Sequence, residues 1–113
     1  MGLGQNELAD LERLIQSRQE GHGLPREFYR DDLVYRADIE RVWRRGWLFA
    51  GHTCEIPQPG DYFTFKLDTD SLIIIRDDEG QIHALHNVCR HRGTMLCEED
   101  CGTVGRIVCP YHQ

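Results

Sequence analysis

Long hydrophobic runs are absent from this sequence. Its longest strongly apolar stretch, residues 72–75, is far too short to cross a bilayer, which needs about 20 apolar residues in a helix. The opening MGLGQNELAD has neither the basic region nor the apolar segment of a secretory signal, and Asn6 stands where N-myristoylation requires Ser or Thr. We therefore expect a cytoplasmic protein with no membrane contact.

An excess of positive charge is also missing. The 13 Lys and Arg residues stand against 19 Asp and Glu residues, so the formal net charge is −6 and nucleic acid is not expected as a partner. The length of 113 residues suits one domain with an ordinary globular balance of apolar and charged residues. In a reducing cytoplasm, the five cysteines more often bind metal or do redox work than form disulfides.

Helical spacing of apolar residues marks the first part of the chain. Residues 6–20 predict a helix with Asn6 as its N-cap, ended by the glycines and proline of residues 21–25. A second helix is predicted over residues 32–45, with Gly46 at its end. The apolar stripe of this second helix consists of Tyr35, Ile39, Val42 and Trp43.

The apolar period changes to two from residue 46 onward. Strands are predicted over residues 47–51, 62–67, 71–76, 81–88 and 106–109. Turns are predicted at residues 77–80 and 102–105, the first of which closes a hairpin. The sequence therefore predicts a helical leader, residues 1–45, followed by a small, mainly β, antiparallel domain, residues 46–113.

Two short Cys/His pairs stand near the end of the chain. Cys89-x-His91 is followed, after 17 residues, by Cys109-x-x-His112. Two thiolates and two imidazoles could hold a tetrahedral zinc, but zinc fingers usually pair Cys with Cys and His with His at short spacing. In a Rieske-type [2Fe–2S] cluster, one iron takes two cysteines and the other takes two histidines. Two loops that clamp such a cluster would each supply one Cys and one His, which explains the mixed pairs.

The sequence around these pairs resembles a known family. The segments CRHRG and CPYH, together with LPREFY, WRRGWLFAGH, EIPQPGDYFTF and LHNVCRHRG, are similar to the alpha (large) subunit of Rieske non-haem iron oxygenases, also called aromatic ring-hydroxylating oxygenases. The resemblance covers nearly all of the chain from about residue 24 onward. It implies a Rieske fold with two cluster-binding loops, in which Cys89 and Cys109 bind the inner iron and His91 and His112 bind the outer iron.

The resemblance also implies a function. Electrons from a flavin reductase, a ferredoxin or both would reach the cluster and pass to a mononuclear Fe(II) that activates O₂, so that an aromatic ring is hydroxylated or a quaternary amine is demethylated. The resemblance further implies a bacterial protein whose full-length form assembles as a homotrimer or an alpha–beta hexamer. Members of this family continue beyond the last histidine with a further strand and a catalytic domain, so we expect this chain to be an N-terminal fragment without catalytic residues of its own.

Two other functions fit the same residues. The first is a stand-alone Rieske ferredoxin, an electron carrier, although the helical leader is more than a carrier needs. The second is a structural zinc module. Respiratory Rieske subunits resemble the chain less, because Thr94 and Tyr111 stand where their disulfide cysteines are expected.

The remaining candidate residues have simpler interpretations. Cys97 and Cys101 are expected to be free thiols between the cluster loops, and Cys54 a small apolar filler. His83 and His86, three apart on a predicted strand, point to opposite faces and make a poor chelate. Two interpretations stay open for the arginines that flank His91, Arg90 and Arg92: a basic collar that docks an electron donor, or solvated loop residues.

Overall fold

A computed structural model describes residues 2–111, which form two compact units that divide between Leu48 and Phe49. Helices lie in the part before the division: α1 (Gln5–Gln16), α2 (Glu27–Arg30) and α3 (Asp32–Asp38). Strands lie in the part after it: β1 (Asp61–Leu67), β2 (Asp70–Arg76), β3 (Ile82–His86) and β4 (Cys101–Thr103). The expectation of a mainly β, antiparallel fold preceded by helices is confirmed. No helix within residues 2–111 is long and apolar enough to cross a membrane.

Helix α1 is shorter than the sequence predicts. It begins after Gly4, which makes no side-chain cap, and Asn6 lies inside the first turn, so the prediction of Asn6 as N-cap is wrong. At the other end, the Ser17 hydroxyl donates to the Leu14 carbonyl at 2.6 Å, and Arg18 Nε donates to the Ile15 carbonyl at 2.8 Å. These side chains satisfy carbonyls that a continuing helix would use, so the helix ends at Gln16 rather than at residue 20.

The predicted helix over residues 32–45 is interrupted. It starts as predicted, because the Asp31 carboxylate caps it by accepting the Leu33 N–H at 2.8 Å. After Asp38, however, the backbone continues as a π-helical segment, Ile39–Trp43, in which the Arg44 N–H donates to the Ile39 carbonyl at 3.0 Å. The short helix α2, which precedes this element, was not predicted from the sequence.

All four strands form one antiparallel sheet in the order β3-β2-β1-β4. The predicted hairpin between β2 and β3 is confirmed. Its turn is held by the Asp77 carboxylate, which accepts the Glu79 N–H at 2.9 Å and the Gln81 N–H at 2.8 Å, while Gly80 takes a φ of 87°. Strands β3 and β4 are therefore the two outer strands of the sheet.

Two of the predicted strands are wrong. Residues 47–51 are irregular, and the side chains of Trp47 and Phe49 are exposed rather than packed in a sheet. Residues 106–109 are irregular too, and the strand beside β1 is β4, whose last two residues fall in the segment that was predicted as a turn. Strand β4 is held by its partner, since Thr103 Oγ1 donates to Asp61 Oδ1 at 2.6 Å.

The core of the second unit lies on one face of the sheet. Tyr62, Ile73 and Cys97 are buried there. The partly buried residues packed against them are Ile75, Leu96, Val104 and Ile107. Gly60 fixes the start of β1, because its φ is 86° and a Cβ atom there would lie 2.3 Å from the Val104 carbonyl oxygen. The core thus draws on the sheet and on both segments that carry the predicted metal ligands.

Candidate metal centre

The predicted ligands lie on two loops that start from opposite edges of the sheet. The first ligand loop, residues 87–97, follows β3 and carries Cys89 and His91. The second ligand loop, residues 104–111, follows β4 and carries Cys109. His112, the fourth predicted ligand, lies outside the described residues.

One buried side chain closes the first ligand loop. Asn87 is only 1% exposed. Its side-chain oxygen accepts the N–H groups of Leu96 at 3.0 Å and Cys97 at 2.7 Å. Its side-chain nitrogen donates to the Cys97 carbonyl at 2.8 Å and to Ser71 Oγ at 3.1 Å. Every hydrogen-bonding position of this amide is therefore engaged, as burial requires.

Inside the first ligand loop, the chain makes a tight turn. The Cys89 N–H donates to the Thr94 carbonyl at 2.7 Å, and the Gly93 N–H donates to the Cys89 carbonyl at 2.8 Å. Gly93 has a φ of 74°, a conformation that a side chain would strain. His91 is exposed at this turn, whereas Cys89 is half-buried below it.

The sulfur atoms of Cys89 and Cys109 are brought together across the two loops. The Cys89 sulfur accepts the backbone N–H of His91, forms a hydrogen bond with the Cys109 thiol, and accepts the backbone N–H of Arg92. In that order of size, these bonds lower the pKa of the Cys89 thiol from its ordinary value of 9.0. Two adjacent cysteine sulfurs, one of them stabilised as a thiolate, suit a cluster in which one iron is bound by two cysteines.

The structure brings two of the predicted ligands together. Within residues 2–111, no three His, Cys, Asp or Glu side chains lie close enough to hold one metal ion. The observed pair is Cys89 and Cys109, and His91 stands two positions from Cys89 on the exposed side of the loop. The donor types and the thiolate-stabilising bonds fit a [2Fe–2S] cluster.

A second contact joins the two ligand loops. Arg92 Nη1 donates to the Tyr111 hydroxyl at 3.0 Å. The guanidinium carbon of the same arginine lies 5.0 Å from the centre of the Tyr111 ring, within the range of a cation–π contact. Each of these residues is the immediate neighbour of a predicted histidine ligand, His91 or His112.

The other cysteines do not share one role. Cys97 is a free thiol, as predicted, and it is a core residue with 7% exposure, whose burial raises its pKa. Cys101 is exposed on β4. Cys54 is exposed in a 3₁₀ turn, so its prediction as an apolar filler is wrong.

The remaining histidines of the sheet lie on β3. His83 Nε2 lies 2.7 Å from Asp77 Oδ2, and this bond lowers the pKa of the Asp77 carboxyl together with the N–H groups of Gln81 and Glu79. His83 pairs across the sheet with Ile75, whereas His86 pairs with Leu72, three register positions away. The bond between His83 and Asp77 stabilises the hairpin turn.

Sequence reasoning missed Asn87 as a structural residue of the site. Its partners Cys97 and Ser71 are ten or more positions away in the sequence, so no local sequence pattern predicts these bonds. The only signal in the sequence is its place two residues before Cys89, at the point where a strand gives way to a ligand loop.

Comparison with known proteins identifies the class. A model of the Rieske [2Fe–2S] domain matches residues 46–113, and the chain belongs to this family. It is a Rieske domain of the kind found in the alpha subunits of Rieske oxygenases, which confirms the resemblance stated from the sequence.

Individual relatives define the kind of Rieske protein more closely. The glycine betaine monooxygenase oxygenase subunit of Chromohalobacter salexigens is 46% identical over 100 residues, which cover 88% of this chain and 22% of that protein. The crystal structure of naphthalene 1,2-dioxygenase from Rhodococcus sp. bound to indole matches with a TM-score of 0.81 and 31% identity, over 98% of this chain and 25% of that one.

A third relative is a quaternary ammonium Rieske monooxygenase, whose structure is described as giving insights into carnitine oxidation and inter-subunit electron transfer. It matches with a TM-score of 0.72 and 35% identity, over 78% of this chain and 24% of that one. The chain thus spans about a quarter, or less, of the length of these three relatives.

Proposed function

We propose that Cys89, His91, Cys109 and His112 hold a Rieske-type [2Fe–2S] cluster. In this proposal, residues 46–113 are the cluster-binding domain and residues 1–45 its helical leader. The observation that carries it is the hydrogen-bonded pair of Cys89 and Cys109, whose sulfur atoms meet across two loops within the span that matches the family.

Burial supports the division of the ligands between the two irons. Cys89 and Cys109 are both half-buried, whereas His91 is exposed. An inner iron held by Cys89 and Cys109 and an outer iron held by His91 and His112 would match this gradient, since a Rieske centre has two cysteines on one iron and two histidines on the other.

The domain would then serve as an electron relay. A bound cluster of this type supplies a one-electron carrier with a potential of about −150 to +300 mV, well above the roughly −400 mV of all-cysteine plant-type clusters. The exposed turn around His91 presents one ligand position to solvent, where a flavin reductase or a ferredoxin can approach. On the opposite side of the site, Cys89 is half-buried and its sulfur accepts backbone N–H groups, so this side faces the interior of the domain.

For the whole protein, we propose the alpha subunit of a Rieske oxygenase. Electrons would pass through this domain to a mononuclear non-haem iron outside the described residues, where O₂ is activated to hydroxylate an aromatic ring or demethylate a quaternary amine. A homotrimer or an alpha–beta hexamer would bring the domain to that iron. Support comes from the relatives, which include a glycine betaine monooxygenase subunit, a naphthalene dioxygenase and a quaternary ammonium monooxygenase.

The relatives also favour an oxygenase over a stand-alone carrier. The match to the glycine betaine monooxygenase subunit covers 88% of the chain, which is more than residues 46–113 alone and therefore takes in part of the helical unit. Sequencing the gene past the codon of Gln113 tests this point. An open reading frame with a mononuclear-iron domain supports the oxygenase, and a stop codon supports the carrier.

Metal analysis tests the cluster itself. Iron, zinc and acid-labile sulfide should be measured on the chain after anaerobic reconstitution with Fe(II) and sulfide, alongside Cys89→Ser and the matched control Cys101→Ser. We expect about two iron and two sulfide per chain in the wild type and the control, and a loss of both in Cys89→Ser. About one zinc without sulfide would instead establish a structural zinc module.

A further inference from the structure

The contact between Arg92 and Tyr111 uses both the charge and the shape of the arginine. The guanidinium lies 5.0 Å from the centre of the Tyr111 ring, and its Nη1 reaches the hydroxyl of that ring at 3.0 Å. A lysine ammonium lacks the planar fork that makes these two contacts together. The tyrosine likewise contributes two features, its ring face and its hydroxyl.

The same arginine also acts on the sulfur of the first ligand loop. The backbone N–H of Arg92 is one of the donors to the Cys89 sulfur, while its side chain is bound to Tyr111 on the second ligand loop. Cys109, the sulfur partner of Cys89, lies two residues before Tyr111. Movement of either loop away from the other would therefore disturb the side-chain contact and the bond between the Cys89 and Cys109 sulfurs at once.

We propose that Arg92 and Tyr111 form an interloop clasp that sets the distance between the Cys89 and Cys109 sulfurs before any metal binds. Both are positioning residues, because they act on the predicted ligands through the loops rather than by touching the cluster. The need for a clasp follows from the sheet: the two loops leave from outer strands on opposite edges, so the hydrogen-bonded strands alone do not bring their tips together. The role deepens the proposed cluster function and rests on it for its purpose.

The clasp can be tested on the reduced, metal-free chain with phenylarsine oxide, a monoarsenical that condenses with two nearby thiols and releases water. A Cys54→Ser/Cys101→Ser background removes the two exposed cysteines of the other segments and leaves Cys97 buried. In this background, the affinity of the arsenical reports how closely the Cys89 and Cys109 sulfurs are held.

The variants separate the parts of the clasp. Arg92→Gln and Tyr111→Leu remove it, Tyr111→Phe keeps the ring but loses the hydroxyl, and Arg92→Lys keeps only the charge. Arg90→Gln is the matched control: it removes an equal charge from the same loop, and Arg90 makes no side-chain hydrogen bond or ion pair among the described residues. Thermal unfolding of each variant distinguishes a local effect from a loss of the fold.

We expect Arg92→Gln and Tyr111→Leu each to weaken arsenical binding roughly three- to tenfold, the range of an exposed cation–π contact with a charge-assisted hydrogen bond. Tyr111→Phe and Arg92→Lys should fall in between, the double variant should be no weaker than either single one, and Arg90→Gln and the thermal midpoints should stay unchanged. Wild-type affinity in Arg92→Gln and Tyr111→Leu, or additive losses in the double variant, would overturn the clasp.

The cluster proposal is tested separately from the clasp, by the metal content of the chain. A wild-type chain that takes up zinc, or no iron and sulfide, would end the cluster proposal and leave the arsenical comparison intact. In a chain that does take up the cluster, the electron paramagnetic resonance g-values of the reduced centre give a second readout. We expect them to shift in Tyr111→Leu and to keep their wild-type values in Arg90→Gln, and identical spectra in all variants would contradict a positioning role.

Discussion

The side-chain amide of Asn87 holds the backbone of Cys97 at two points. Its oxygen accepts the Cys97 N–H at 2.7 Å, and its nitrogen donates to the Cys97 carbonyl at 2.8 Å. A single buried residue thereby joins both ends of the first ligand loop and ties that loop to β2 through Ser71. The loop that carries Cys89 and His91 is thus a closed unit of the fold and not a free connection.

Replacing Asn87 should therefore strongly destabilise the folded chain. Asn87→Ala removes the partner of the Leu96 N–H and of both backbone groups of Cys97, and each buried group left unpaired costs about 1–3 kcal/mol. We expect the free energy of unfolding, measured by urea titration, to fall by about 3 kcal/mol or more. Asn6→Ala, at an exposed position of α1, should change it by less than about 0.5 kcal/mol. A loss below about 1 kcal/mol in Asn87→Ala would mean that the loop is held by other contacts.

The cysteines outside the ligand set should separate stability from metal content. Cys97→Ser places a hydroxyl in the core beside Tyr62 and Ile73, and we expect a loss of about 1–3 kcal/mol in unfolding free energy. Cys101→Ser, at an exposed position of β4, should be neutral within about 0.5 kcal/mol. Neither change should lower the iron and sulfide content of the reconstituted chain. Loss of iron in Cys101→Ser would make that residue a ligand.

The ligand assignment of His91 predicts a change of potential. His91→Cys replaces a neutral imidazole by a thiolate, which adds negative charge to the site. We expect the chain to retain a cluster whose midpoint potential, measured by redox titration, falls on the order of 100 mV or more toward the all-cysteine range. His83→Cys, on the exposed strand β3, should leave the potential as it is. The same potential in both variants would remove His91 from the ligand set.

Stability at low pH should depend on Asp61. The Thr103 hydroxyl, followed by the Gln58 N–H, lowers the pKa of the Asp61 carboxyl below its ordinary value of 3.8. The unfolded chain therefore takes up this proton more readily, so the contribution of Asp61 is complete above pH 3.8 and is lost as the pH falls through the lower folded-state pKa.

Urea titrations between neutral and strongly acidic pH check this dependence. The unfolding free energy of the wild type should fall in the acid range below the ordinary carboxyl value, and Asp61→Asn should fall less steeply there. Asp78→Asn, in the exposed β2–β3 turn, is the matched control and should follow the wild type. If the unfolding free energy of Asp61→Asn falls with pH as steeply as that of the wild type, the Thr103 and Gln58 bonds to Asp61 do not stabilise the folded chain.

The strands that the sequence predicted correctly are those with local signals. β1, β2 and β3 each carry an alternating or β-branched run, and the Asp77–Gly80 turn fixes the second hairpin through bonds between residues at most four apart. Strand β4 has no such signal, because its three residues are held by β1 and by the bond between Thr103 and Asp61. Residues 47–51 show the opposite failure, in which apolar side chains without a strand partner mimic a strand.

The helix over residues 32–45 failed for a related reason. The stripe that includes Ile39 and Val42 assumes a constant 3.6 residues per turn. The π-helical segment adds a residue to one turn, so Ile39 remains buried while Val42 is 57% exposed. For the site, the spacing of Cys and His predicted four metal ligands, and two of them, Cys89 and Cys109, are joined by a side-chain hydrogen bond in the structure. The bonds of Asn87 and the Arg92–Tyr111 contact are long-range and left no pattern in the sequence.

The position of β3 and β4 as outer strands has a further consequence. A bridge between the Cys89 and Cys109 sulfurs closes a ring of chain that starts beside one edge of the sheet and contains the strand at the other edge. Closing a ring of this kind reduces the number of conformations open to the unfolded chain. In a chain-entropy estimate, this stabilises the folded state by about 3 kcal/mol. Any group that binds both sulfurs also links the segments at the two edges of the sheet. Binding at the site and stabilisation of the fold are therefore coupled.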